Sequence, residues 1–434
     1  MWNIDEFLSG LNIDLDRLRD VFTYDPQAPM IFSSGIFLWL FVAFILVYLL
    51  LQRRTTARLL FVTLFSYYFY YKSSGTYFFL LGLVTVCDFF IARLMAREAI
   101  PWLRKAWVVL SLFINLGLLC YFKYTNFFIE IARDLFGAGF LEFQNIFLPV
   151  GISFFLFQSL SYTIDIYRGS LKPVDRWGDY LFYLSFFPQL VAGPIVRARD
   201  FLVQIRQNPI AVSREMFGTG IYLITIGLFK KAVISDYISL NFVDRIFDDP
   251  ALYSGMECLA AVYGYALQIY CDFSGYSDMA IGLALLLGFR FPKNFDAPYH
   301  SATITEFWRR WHISLSMWLR DYLYISLGGN RKGRLRTYFN LLVTMVLGGL
   351  WHGAAIRFVL WGTLHGVALA LHKLWLSVVP GAKVSGYQMH PLSRLAGILV
   401  TFHLVCFGWL LFRADSMRTC LLYTSPSPRD RSVS

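Results

Sequence analysis

Long apolar runs alternate with short polar loops through most of this chain. A helix needs roughly 20 apolar residues, range about 17–25, to cross a bilayer. Runs at 31–51, 58–71, 76–92, 106–122, 146–166, 215–235, 256–271, 276–289, 338–350, 354–376 and 393–412 are read as spanning candidates. Several are short, which points to tilted, broken or partly inserted segments. The stretch 178–196 contains Pro188, Gly193 and Pro194 and reads as broken or re-entrant. Such backbone is tolerated at membrane depth only where protein or a water-filled cavity covers it. The pattern predicts an all-α polytopic membrane protein with about 11 spanning or re-entrant helices.

The loops set an orientation. Arg53, Arg54 and Arg58 form one basic cluster; Arg93, Arg97, Arg104 and Lys105 form the next. The two runs between them make a hairpin out and back, so both clusters are cytoplasmic by the positive-inside rule. Arg197, Arg199, Arg206 and Arg214 mark a later inside loop, and Arg331, Lys332, Arg334 and Arg336 the richest one. Residues 1–30, with six acids against two arginines, then lie outside. That acidic character also excludes a cleavable signal peptide, and the run from Ile31 is expected to be a true span.

Composition agrees. Hydrophobic residues make up 57% and charged residues 15% of the 434, with mean hydropathy +0.52; a soluble domain carries about 25% charged residues. The net charge of +11 raises nucleic-acid binding as a rival, but the basic residues sit in short clusters between apolar runs, so no nucleic-acid partner is expected. Cysteines 87, 120, 258, 271, 406 and 420 are scattered singly, so neither a disulfide framework nor a metal site is expected, and buried free thiols are the simpler reading. The end of the chain breaks character: Ser425 to Ser432 is Pro/Ser-rich and polar. Residues 416–434 are read as a non-native tail, resembling translated sequencing adapter from about Thr419, with the native protein continuing beyond it.

Polar residues inside apolar stretches are costly and mark functional candidates. Three clusters qualify. In the first, Gln268, Asp272, Ser274, Tyr276, Ser277 and Asp278 interrupt the apolar pattern; the competing reading is a polar turn between two helices, bent at Gly275 and capped by Asp278. In the second, residues 305–324, helical spacing puts Trp308, Trp311, Leu315, Trp318 and Tyr322 on one face. That predicts an amphipathic segment lying at the cytoplasmic interface or dipping into the membrane, with His312 at the edge of the stripe; a packed core histidine is the competing reading. The third is Leu347-Gly-Gly-Leu-Trp351-His352-Gly353, where Gly348, Gly349 and Gly353 permit close approach of a helix or of a ligand to one histidine. His365 and His372 follow on one helix face and either line the same interior or are packed; His300 and His390 are assigned no role.

Histidine can act as a general base near neutral pH. Acyl transfer needs a deprotonated hydroxyl acceptor and a stabilised oxyanion. The sequence has no serine elbow, no phosphate loop and no dinucleotide fingerprint. The residues by themselves define a polar interior site with two histidines.

At these motifs the chain resembles the membrane-bound O-acyltransferase family, in particular its bacterial alginate O-acetyltransferase membrane-subunit branch. The resemblance rests on Phe307-Trp-Arg-Arg-Trp-His-Ile-Ser-Leu-Ser316, Trp318-Leu-Arg-Asp-Tyr-Leu-Tyr324, Leu327 to Gly333, and Gly348-Gly-Leu-Trp-His-Gly353. Gln268 to Ala280, Pro188 to Arg197 and Gly151 to Phe155 extend it. It covers about residues 31–415, the membrane domain, between the acidic segment 1–30 and the tail 416–434.

The resemblance implies a helical fold around a central cavity or tunnel, with His352 and His312 catalytic. It makes Trp311, Trp351, Arg310, Asp321, Gln268, Asp272, Ser274, Tyr276 and Asp278 candidates for lining that tunnel. No bound cofactor is implied; the donor is cytoplasmic acetyl-CoA or another acyl thioester. A periplasmic acetyltransferase partner and exopolysaccharide machinery would carry the acetyl group to a polysaccharide hydroxyl, with the chain in the bacterial inner membrane. The Leu327–Gly333 run favours the alginate-type branch over relatives that transfer D-alanine to teichoic acids. The rival readings are a transporter or channel with a polar interior path and a scaffold for polysaccharide export.

Overall fold

The computed structural model describes residues 21–207, 212–379 and 390–414. Residues 1–20 of the acidic segment and the tail 416–434 lie outside the described residues. Among the described residues the secondary structure is helical, without strands. The principal helices are α1 (Gly35–Leu50), α2 (Thr55–Ser74), α3 (Phe78–Arg97), α4 (Pro101–Leu119), α5 (Thr125–Phe136), α6 (Ile152–Tyr167), α7 (Trp177–Ser185), α8 (Phe187–Leu190) and α9 (Ala198–Ile205). They continue as α10 (Arg214–Leu228), α11 (Asp244–Asp248), α12 (Gly255–Leu286), α13 (Ile304–Arg310), α14 (Ile313–Trp318), α15 (Arg334–His352), α16 (Ile356–Val378) and α17 (Pro391–Arg413).

Among the described residues four continuous stretches are long and apolar enough to cross a membrane: Thr55–Arg97, Pro101–Phe136, Arg214–Asp248 and Pro391–Arg413. The first exceeds the thickness of one crossing and turns at Gly75, whose φ of +61° suits a residue without Cβ. Helix α1 is apolar but only 16 residues, about 24 Å at 1.5 Å per residue. Helices α12, α15 and α16 have the length but not the uniformly apolar composition. The chain is an all-helical membrane protein.

The 256–271 and 276–289 runs are not two helices. They form one 32-residue helix, α12, about 48 Å long. The polar turn of the competing reading, bent at Gly275 and capped by Asp278, is therefore absent. The glycines serve packing instead. A Cβ on Gly275 would stand 2.7 Å from the Gly227 carbonyl oxygen of α10, and one on Gly227 would stand 2.6 Å from that of Gly275. Gly220 and Gly282 repeat the contact two turns away. Close backbone approach through small residues is a standard way for membrane helices to associate. The α15–α16 pair uses the same device: a Cβ on Gly366 would meet the Leu342 Cα at 3.0 Å, and one on Gly349 would meet the Gly362 Cα at 3.2 Å.

The stretch 178–196 is broken, into α7, α8 and an irregular turn, and nearly all of it is buried in protein. Phe187 sits at the centre of an aromatic core, with the rings of Phe32, Phe37, Phe41, Phe44 and Phe65 centred 5.1–6.3 Å away. Beneath this core Asp88 of α3, fully buried, accepts hydrogen bonds from Ser111 (2.7 Å) and Asn115 (2.7 Å) of α4 and from Ser159 of α6. Of the thiols, Cys258, Cys271 and Cys406 are buried, but Cys120 is exposed and Cys87 half-buried, which corrects the expectation for those two; Cys420 lies outside the described residues.

Candidate active site

The segment 305–324 was expected to be one amphipathic helix at the interface. Its apolar stripe is buried, with Trp308, Trp311, Leu315, Trp318 and Tyr322 all under 10% exposed. The helix itself is interrupted: α13 stops at Arg310, α14 begins at Ile313, and a wider π-type turn, Leu319–Tyr324, follows. Burial on both sides of the break seats the segment against protein.

His312 stands in the interruption with φ +42° and ψ +56°, a left-handed conformation that costs a side-chain-bearing residue roughly 1–2 kcal/mol. Such strain persists only where the surroundings impose it, and it gathers at functional sites. Here the surroundings are residues 294–296. Asp296 N–H donates to the Arg310 carbonyl (2.9 Å) and Ile313 N–H to the Asn294 carbonyl (2.9 Å), clamping the chain on each side of His312.

The same Asn294 fixes the chemistry of the ring. Its Oδ1 accepts from the Ser314 backbone N–H (3.2 Å) and hydroxyl (2.9 Å), and its Nδ2 donates to Ser277 Oγ of α12 (3.0 Å). The backbone N–H can only donate, so the atom it faces is the amide oxygen. His312 Nδ1, 3.1 Å from that oxygen, must therefore carry a proton. In the neutral ring this leaves Nε2 with its lone pair free. Nε2 is buried and has no hydrogen-bond partner among the described residues.

His352 ends α15. Its ring lies 4.9 Å from Trp351, 5.2 Å from Trp361 and 5.2 Å from Phe412, centre to centre. The Trp351 ring is also near His312, 6.1 Å from it centre to centre, so one indole contacts both histidines. His312 is further boxed by Phe273 (4.6 Å) and Phe295 (6.2 Å). His365 is fully buried beside Trp361 (4.7 Å) and Trp308 (5.3 Å), and neither of its nitrogens has a hydrogen-bond partner among the described residues. The two histidines thus share an aromatic box around Trp351, in which His312 is fully buried and His352 half-buried.

Two cavities approach this box. One, of about 360 Å³, is lined by His352, Trp351, Phe273 and Lys123 and by the loop and helix start Leu148–Phe154. The other, of about 800 Å³, has Thr305, Arg309, Ser316, Arg320, His372 and Lys373 among its polar lining, with His372 Nδ1 2.8 Å from the Thr305 hydroxyl. Neither histidine of the pair lines this larger space. Trp308 in its wall packs at 5.7 Å on Trp361, which in turn packs on His352, so one aromatic layer divides the cavity from the box.

The remaining sequence candidates are placed as follows. Trp351 lines the smaller cavity; neither cavity is lined by Trp311, Arg310, Asp321, Gln268, Asp272, Ser274, Tyr276 or Asp278. Trp311 is packed on Trp409 (4.8 Å) and Phe295 (5.1 Å). Arg310 pairs with Glu306 (2.9 Å), and Asp321 with Arg197 (2.6 Å) and Arg320 (2.6 Å). Asp278 and Asp272 pair with Lys230 (2.7 Å) and Lys231 (2.6 Å) in the π-type stretch Phe229–Ser235 after α10. Gln268 Nε2 donates to Ser239 Oγ (2.8 Å); the Ser274 and Tyr276 hydroxyls are buried without a hydrogen-bond partner among the described residues, and the Tyr276 ring stacks on Phe32 at 4.6 Å. The carboxylates of the first polar cluster therefore tie α12 to the stretch after α10, while on the same helix Phe273 packs on His312 and Ser277 accepts from Asn294, the partner of His312. Lys123, Asn294, Trp361 and Phe412 were not singled out from the sequence. Of these only Lys123, a charge inside an apolar run, left a signal there.

Residues 177–407 match the membrane-bound O-acyltransferase family. Over 394 residues the chain is 40% identical to Probable alginate O-acetylase AlgI of Pseudomonas aeruginosa, covering 90% of this chain and 73% of that protein. It is 35% identical over 362 residues to the peptidoglycan O-acetyltransferase of Helicobacter pylori (77% and 67% covered). It is 30% identical over 285 residues to the teichoic acid D-alanyltransferase of Bacillus subtilis (62% and 69% covered). Against alginate O-acetylases of four other bacteria it spans 52–66% of their length. The chain belongs to the membrane-bound O-acyltransferase family.

Proposed function

We propose that this protein passes acetyl groups from a cytoplasmic acetyl thioester, such as acetyl-CoA, toward O-acetylation of an exported or cell-wall polysaccharide of the alginate type. It does so as a multi-pass protein of a bacterial inner membrane, with about 11 spanning or re-entrant helices around a central passage. A periplasmic partner completes delivery to the polymer. The observation that carries the reading is the pair of histidines flanking Trp351, His312 held with Nε2 free and His352 lining a cavity. The names of the relatives in alginate and peptidoglycan O-acetylation support the acetyl group and the polymer class.

In this reading the acceptor hydroxyl enters the smaller cavity and His352 takes its proton. His312 Nε2 offers a second acceptor behind Trp351. The larger cavity, with Arg309, Arg320 and Lys373 in its lining, receives the anionic donor; the basic loops support a cytoplasmic side for it.

The test uses native membranes supplied with radiolabelled acetyl-CoA, comparing wild type with His352→Ala and His312→Ala at matched expression. Release of CoA with transfer of label, lost by at least 100-fold in His352→Ala, is expected, the size that removal of a catalytic base gives. Equal turnover in all three overturns the reading and returns the transporter or the scaffold. A D-alanyl thioester used in place of acetyl-CoA would move the donor to the class of the teichoic acid relatives.

A further inference from the structure

Lys123 lies within Pro101–Phe136, one of the stretches long and apolar enough to cross a membrane. A charge there is expensive and needs a reason. The helix deforms around it: Cys120–Tyr124 is a single π-type turn between α4 and α5, a local widening found mostly at functional sites. The turn sends the Lys123 ammonium across to the last turn of α15, where it donates a hydrogen bond to the Trp351 carbonyl and lies 5.6 Å from the centre of the Trp351 ring. The adjacent Tyr124 hydroxyl donates to the Leu350 carbonyl at 2.6 Å. Among the described residues no carboxylate pairs with Lys123. It lines the same cavity as His352.

A cation that is desolvated, held by one carbonyl and one ring face, and left without a counter-charge beside a histidine in a cavity is set to receive an anion. Resting on the acyltransfer reading above, we propose that Lys123 is a catalytic residue that holds the oxyanion of the tetrahedral intermediate. The acceptor O–H gives its proton to His352 as its oxygen bonds to the acyl carbon. The carbonyl π pair moves onto the acyl oxygen, which becomes anionic beside the Lys123 ammonium. On collapse that pair re-forms the C=O bond, the C–S bond breaks, and the thiolate leaves with the bonding pair and takes up the proton from His352. The charge develops only during reaction, where a fixed donor in a dry site is most effective.

A structural alternative is built into the same geometry, because Lys123 also satisfies an orphan carbonyl at the end of the helix that carries His352. Lys123→Gln separates the two: its amide can still donate to that carbonyl but brings no charge. In membranes where wild type transfers acetyl and His352→Ala does not, Lys123→Gln should lose about 100- to 1,000-fold in kcat, with KM within about 3-fold and an unchanged melting temperature. Lys123→Ala should regain at least 10-fold of its rate with ethylammonium, whose cation fits the space the side chain leaves. Lys123→Gln within 3-fold of wild type, or a folded Lys123→Ala indifferent to ethylammonium, would overturn the role. If the wild type itself transfers no acetyl group, the functional reading fails instead, whatever the Lys123 variants do.

Discussion

Asn294→Ala gives the sharpest view of how the site is assembled. The side chain makes four hydrogen bonds: Oδ1 with His312 Nδ1 and with the Ser314 N–H and hydroxyl, and Nδ2 with Ser277 Oγ, at 2.9–3.2 Å. At about 1 kcal/mol net per bond the stability loss is about 2–4 kcal/mol, since the Ser314 hydroxyl can turn to another partner. The effect on activity is separate. The two neutral tautomers of imidazole are close in energy, and the bond to Oδ1 favours the Nδ1–H form by about 1–1.5 kcal/mol, or roughly 10-fold. Without it the free Nε2 is blocked by a proton in a large share of molecules, and the ring can turn. We expect acetyl transfer to fall about 10- to 100-fold in Asn294→Ala. Asn294→Asp, which keeps the acceptor oxygen, should retain clearly more. In the double variant with His312→Ala, the loss should be no greater than for His312→Ala alone, because Asn294 acts through that ring. Initial rates in membranes, at expression matched by fluorescence-detected size exclusion, read all three. A folded Asn294→Ala at wild-type rate, or losses that simply add, would refute the tautomer argument.

Two further predictions concern the frame. Gly227→Leu sets a side chain against the Gly275 carbonyl, where even a Cβ stands at 2.6 Å; α10 and α12 must part, and the detergent-solubilised protein should melt at least 5 °C lower, whereas an unchanged melting temperature would contradict the crossing. Asp321→Ala strands Arg197, which is 5% exposed and paired at 2.6 Å; a loss of about 2–4 kcal/mol is expected from a thermal or denaturant series, and Arg197→Met with Asp321→Ala should recover part of it.

How much was legible follows from range. The break at 178–196 was visible because Pro188, Gly193 and Pro194 forbid a continuous helix by local sterics alone. Burial of the Trp308–Tyr322 stripe followed from helical spacing, yet the helix that should have carried it breaks at His312. That break is imposed by hydrogen bonds to residues 294–296, which no pattern within 305–324 encodes. The competing reading of a bend at Gly275 failed for the same reason. A glycine within one helix looks like a hinge until the partner glycine of another helix is in view. Asp272 and Asp278 drew attention as intramembrane charges, but Lys230 and Lys231, some 40 residues earlier in the chain, neutralise them.

By itself the sequence determined the medium and the chemistry available. The length and apolarity of its runs require a membrane, since water cannot solvate so much hydrocarbon surface, and its motifs supplied two histidines at fixed positions. Only the tertiary structure decided what those histidines can do. Placing Asn294 against His312 sets its proton, packing both histidines on Trp351 gathers them into one site, and bringing Lys123 across from α4 and α5 puts a cation beside His352. Each is a contact between residues far apart in the chain, and a tautomer or a local field depends on distances that spacing along one helix does not carry.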